Sequence, residues 1–253
     1  MKKQIFYLLV LLLTLPLWAG VSVATSPSGD VHYDGLWFLG CNLHKDIFSG
    51  EDGLRVRHAV QRALRLDRIV ALAGETEVPA GIVPPGMEGH RDGAAPVQDL
   101  AGAKKTMKAA GFSLSDSRLK TLTLLHTNGI KTKLMAHEIQ KNLSAIGIKI
   151  TLDEVDYANQ DRWTEALASG RYHFFLMGYK ADDPEDGLSF LRPLFHSRGE
   201  ANFTFYHDTV TDRLMDTMQH AADPVVRKEK IDMLVRRIDE MFPVVGLFYI
   251  QRL

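Results

Sequence analysis

The sequence predicts an α/β protein, a sheet covered by helices on both faces. Three observations carry this reading. Short apolar segments of strand length alternate with amphipathic segments of helical period along nearly the whole chain. Residues 148–155 alternate strictly, with Ile148, Ile150 and Leu152 set against Lys149, Thr151 and Asp153, the period of a half-buried strand. Several helical segments run into a glycine (Gly111, Gly147, Gly170) suited to ending them.

The chain opens on a three-part leader. Lys2 and Lys3 precede an apolar run over residues 5–18, and Ser22-Val23-Ala24 offers a small-x-small cleavage site. Residues 1–24 therefore read as a signal peptide, with an uncleaved membrane anchor as the alternative, and residues 25–253 as one domain. The run is shorter than the ~20 residues that span a bilayer with ease, and Pro16 interrupts its end. Cys41, the sole cysteine, lies far past the run and beyond Asp30 and Asp34, so lipid attachment is rejected. One cysteine also excludes an intramolecular disulfide, leaving a hydrophobic core to hold the fold. Removing Lys2 and Lys3 takes the formal charge from -1 to -3, which gives no electrostatic case for nucleic acid.

After a polar lead-in, residues 36–41 read as a buried strand. The turn-rich stretch 49–53 introduces a helix over 54–73 with Val56, Val60, Ala63 and Leu64 inward. Arg55, Arg57, Arg62 and Arg65 lie largely on its solvated face. Residues 77–96 are an ordered Pro/Gly loop. A helix over 100–110, a strand over 119–126 and an amphipathic helix over 131–146 follow. Next come the strand 148–155, a short helix over 161–169 and a strand over 173–178. Two helices follow, over 209–222 and from Asp223, a suitable N-cap, with Pro224 at the first position. A strand over 244–250 closes the chain.

Catalytic signatures are missing. There is no glycine-rich phosphate loop and no Gly-x-Ser-x-Gly turn. His137-Glu138 lacks a second histidine, because Lys141 stands four residues on. His44, His126, His196 and His207 are scattered and read as surface or loop residues rather than as a metal set. The acidic run Asp182-Asp183-Pro184-Glu185-Asp186 has no partner nucleophile. Neither an enzyme, a metal nor a cofactor is expected.

Eight stretches in order resemble the extracellular solute-binding proteins of family 5, the peptide- and nickel-binding components of ABC importers. They are Phe38-Leu-Gly-Cys-Asn42; Leu54-Arg-Val-Arg-His-Ala-Val60 with Leu66-Asp-Arg68; Pro79-Ala-Gly-Ile-Val-Pro-Pro-Gly86; residues 103–112 ending Ala-Gly-Phe; Ile146-Gly-Ile-Lys-Ile150; Gly178-Tyr-Lys-Ala-Asp182; Pro193-Leu-Phe195 with Asn202-Phe203; and residues 243–249. The resemblance implies a single type II periplasmic-binding-protein-like lobe with a mixed sheet, the family's C-terminal lobe, with its first lobe missing. It implies that the Asp182 carboxylate pairs with a ligand's α-amino group, a charge-assisted hydrogen bond. The backbone of Gly178, Tyr179 and Lys180 would lie beside the ligand as beside an added strand, with Tyr179 as an aromatic wall. The implied partners are a peptide or other small solute, and an ABC transporter permease or a separately encoded first lobe. Membrane contact would come only through the transporter, in the periplasm or another extracytoplasmic space. Besides a solute-binding component, an envelope interaction protein and a nonfunctional remnant of a longer binding protein stay open.

Overall fold

The computed structural model describes residues 31–219 and 223–252. The proposed leader and its cleavage site lie outside them, as do residues 220–222, where the helix expected over 209–222 was to end. No helix among the described residues is long and apolar enough to cross a membrane.

Five strands form one mixed sheet in the order β3-β2-β4-β1-β5. They are β1 (Tyr33–Cys41), β2 (Leu122–Thr127), β3 (Ile150–Val155), β4 (Phe174–Lys180) and β5 (Val244–Gln251). β2 runs parallel to β3 and β4, whereas β1 is antiparallel to β4 and β5. Strand alternation sends successive side chains to opposite faces, and a separate core forms on each.

On one face Leu39, Leu122, Leu124, Phe174 and Leu176 pack under α1 (Gly50–Ala63), α2 (Leu66–Ala73), α3 (Leu100–Ala109) and α4 (Ile130–Ser144). On the other, Leu36, Phe38, Leu125, Phe175 and Met177 pack under α5 (Gln160–Ala168), α6 (Gly187–Phe195), α7 (Thr209–Met218) and α8 (Pro224–Met241). The expected α/β sheet with helices on both faces is what forms. In β5 both Leu247 and Phe248 join the first core, against simple alternation. The β1–β5 register shifts there, Trp37 facing Phe248 and Phe38 facing Gly246, so a bulge absorbs the extra residue.

Several elements differ from the expectation. The helix expected over 54–73 starts at Gly50, inside the stretch read as a turn, and splits at Leu64 and Arg65. There the Arg65 amide donates to Asn142 Oδ1 at 2.6 Å, and Asn142 Nδ2 donates to Glu138 Oε1 at 2.8 Å. A partner 77 residues away thus satisfies the broken helix end, which no local pattern discloses. Arg57 is not on a solvated face. It is buried and donates to the carbonyls of Phe48, Met241 and Phe242, fastening α1 to the end of α8. β3 begins at Ile150 rather than 148, because the Ile148 amide donates back to Leu143 O and Gly147 holds a left-handed φ of +88° to close α4. The helix α6 was not anticipated. Pro193 inside it removes one backbone hydrogen bond, while burial of Leu188, Phe190, Leu191, Leu194 and Phe195 offsets that loss.

Candidate functional site

β4 is the strand that builds the site. Its pairing with β1 is complete, with Leu36 opposite Tyr179 and Gly35 opposite Lys180. On its other side it pairs with β2 only at Leu124–Phe174 and Leu125–Phe175. From Leu176 onward, that edge of β4 has no strand partner among the described residues. The Ala181 amide donates to Asp34 O at 2.8 Å and the Asn42 amide to His173 O at 2.9 Å. Antiparallel alternation in steps of two then turns the peptide groups of Met177 and Tyr179 toward β1, and those of Gly178 and Lys180 toward the open edge.

Gly178 is needed for packing. A Cβ there would sit 2.7 Å from the Trp37 indole, which lies across the strand and stacks on Phe248 at 5.9 Å between centroids. Tyr179 is half-buried and tilts against Phe190 of α6, with ring centroids 6.0 Å apart. Its hydroxyl is pushed up to about 12, chiefly by burial and further by the nearby charges of Glu200 and Asp182. The side chain of Lys180 pairs with Asp34 at 2.9 Å, so its contribution to the open edge is backbone alone.

Beyond β4 the acidic turn sorts into engaged and free carboxylates. Asp183 accepts from the Glu185 amide, folding the turn on itself. Asp186 caps α6 by accepting from the Leu188 amide and pairs with Arg227 at 2.6 Å. The Asp182 carboxylate is exposed and has no hydrogen-bond or ion-pair partner among the described residues. It faces a cavity of about 390 Å³, shared with Ser189, Arg192, His196, Arg198 and Glu200. Ser189, Arg192 and His196 recur at helical spacing along α6 and its C-terminal cap, a stripe legible only once α6 is recognised.

Two of these side chains reach toward Asp216 of α7. Arg192 Nη2 lies 2.8 Å from Asp216 Oδ1, while its Nη1 is buried without a hydrogen-bond partner. His196 is buried, and its Nδ1 accepts from the Arg198 amide at 3.0 Å, so the neutral ring carries its proton on Nε2. Nε2 comes 3.4 Å from Asp216 Oδ1 without forming a hydrogen bond. Of the other histidines considered for a metal, His44 and His207 line a separate cavity, where His44 stacks on Phe205. No group of three or more His, Cys, Asp or Glu among the described residues could hold a metal ion.

Comparison with known proteins agrees with this architecture. Residues 18–202 match the model of the bacterial extracellular solute-binding proteins, family 5 Middle. No curated protein matches the chain. The fold is similar to the ABC transporter substrate binding protein CtaP from Listeria monocytogenes, with a TM-score of 0.75 and 21% identity over 87% of this chain and 44% of that one. It is also similar to the periplasmic binding protein DppA from Helicobacter pylori, in complex with the peptide STSA (TM-score 0.74, 20% identity, 87% and 43% covered). The binding protein AgaA of A. tumefaciens R10, in complex with agropinic acid, gives a TM-score of 0.74 at 24% identity, with 88% and 44% covered. The chain thus spans less than half the length of these structures. The matching family consists of solute-binding proteins rather than enzymes, and the chain belongs to it: it is a bacterial extracellular solute-binding protein of family 5.

Proposed function

We propose that this domain supplies one wall of the ligand cleft of a peptide-type ABC importer's binding protein. The observation that carries the reading is the edge of β4 that, among the described residues, has no strand partner and ends beside an Asp182 with no side-chain partner. An extended ligand backbone can add to such an edge as a strand, through the peptide groups of Gly178 and Lys180. Asp182 then gives the ligand's ammonium a charge-assisted hydrogen bond, and Tyr179 walls the chain between them. The similarly folded DppA is in complex with a peptide, in keeping with an oligopeptide-type solute. A second lobe closes the cleft from the other side, and a transporter permease receives the loaded protein. In this reading residues 1–24 are a cleaved leader, residues 25–253 are the family's C-terminal lobe, and the protein works in the periplasm or another extracytoplasmic space.

The test is thermal unfolding of the purified protein with and without a random tripeptide pool. A solute at ~100 times its dissociation constant, binding only the folded state, adds ~2.7 kcal/mol. The expected result is an upward shift that disappears in Asp182→Ala. A sharp transition that no tripeptide moves overturns the reading.

A further inference from the structure

We propose that the cavity beside Asp182 selects a solute carrying an ammonium and a carboxylate on the same residue. This rests on the proposed solute-binding role and narrows it to a substrate class.

The cavity is not simply acidic. Asp186 is neutralised by Arg227, and Arg192 by Asp216. Among the described residues this leaves three lining charges without partners: the carboxylates of Asp182 and Glu200 and the guanidinium of Arg198. Both carboxylates line the same cavity, and both act on the nearby Tyr179 hydroxyl. An ammonium has three donors and can serve both. A ligand offering only that ammonium would make no use of the exposed Arg198.

His196 points the same way independently. It lines the cavity, its side chain is 3% exposed, and its Nε2, 3.4 Å from Asp216 Oδ1, makes no hydrogen bond among the described residues. Arg192, which also lines the cavity, keeps a buried Nη1 with no hydrogen-bond partner among the described residues. A cavity lined by both unengaged donors and free carboxylates is complementary to a ligand of both signs. About 390 Å³ is at the small end of ligand sites and suits one residue rather than a long chain. Such a residue is either a free amino acid or the first residue of a peptide beginning with Asp or Glu.

The experiment is calorimetric titration of the full chain with glutamate, Glu-Ala-Ala and Ala-Ala-Ala, repeated with Arg198→Ala and Asp182→Ala, each variant first confirmed to be folded by its melting transition. Glutamate or Glu-Ala-Ala is expected to bind at least about tenfold more tightly than Ala-Ala-Ala, a difference of ~1.4 kcal/mol. The Arg198→Ala variant is expected to lose that preference. Binding of glutamate alone identifies the free amino acid as the source, and binding of Glu-Ala-Ala alone identifies the peptide terminus. Equal affinity for all three, or a preference that survives Arg198→Ala, overturns the inference. In that case, Ala-Ala-Ala binding that is lost in Asp182→Ala still upholds the broader solute-binding role. A folded chain that binds none of the three overturns both.

Discussion

Arg227 Nη2 lies 2.6 Å from Asp186 Oδ1 and, at 2.9 Å, also holds Glu88 Oε2. One guanidinium of α8 thereby clamps the acidic turn to the Pro/Gly loop. The clamp engages the Asp186 carboxylate, which also lines the cavity, and ties down the turn that carries Asp182.

Replacing Arg227 by methionine should release that turn. The ion pairs are partly buried and one is two-pronged, so a loss of about 1–2 kcal/mol is expected in urea unfolding. Glu88 and Asp186 together in one wall then become mutually repulsive, and Glu88→Gln on the Arg227→Met background should recover part of the loss. No recovery would mean that Arg227 contributes packing alone.

The close approach of Trp37 to Gly178 makes a second test. Gly178→Ala places a methyl against the indole and is expected to destabilise by about 1–3 kcal/mol, as overpacking does. Trp37→Leu carries a loss of its own, but combined with Gly178→Ala it should cost less than the sum of the two. Strict additivity in the double-mutant cycle would show that the two positions do not press on each other.

Acid stability should depend on Asp208. Hydrogen bonds from Arg237, then from the amide and hydroxyl of Thr211, hold its carboxyl down at about 2, against an ordinary value of 3.8. Between these values the unfolded chain binds the proton that the folded chain refuses. The contribution is therefore fully present above about pH 4 and is lost as the pH falls through about 2. Asp208→Asn should lower stability at neutral pH and flatten its decline between pH 4 and 2; an unchanged slope would contradict the assignment.

Cys41 should be inert in the folded protein. It is fully buried, and burial pushes its thiol up to about 12. A thiol reagent at pH 8 should label it only after denaturant is added, at a midpoint matching global unfolding. Labelling in native buffer would mean that β1 opens locally.

How far the sequence discloses this structure depends on where the partners lie. Strict alternation in Ile148–Leu152 and the glycine after α4 are local signals, and both elements appear, the strand starting two residues late because Gly147 and Ile148 complete the helix cap. The capping role of Asp223 is likewise local, and its side chain accepts from the Val225 amide at 2.8 Å. The helical pattern puts Arg57 on a solvated face, whereas its acceptors, the carbonyls of Met241 and Phe242, are supplied by the far end of the chain. Pro193 disguised α6, and with it the stripe of Ser189, Arg192 and His196 beside Asp182. The motif Gly178-Tyr-Lys-Ala-Asp182 pointed to a binding edge, but the freedom of that edge depends on β2 parting from β4 after Leu125, a tertiary fact.

The most direct measurement is amide hydrogen exchange at Gly178 and Lys180, read by NMR with and without a saturating tripeptide. A ligand that adds to the open edge of β4 should slow exchange at both amides while leaving Tyr179, already paired with β1, unchanged. Slowed exchange confined to other segments, or none at Gly178 and Lys180 while the peptide is demonstrably bound, would contradict the account.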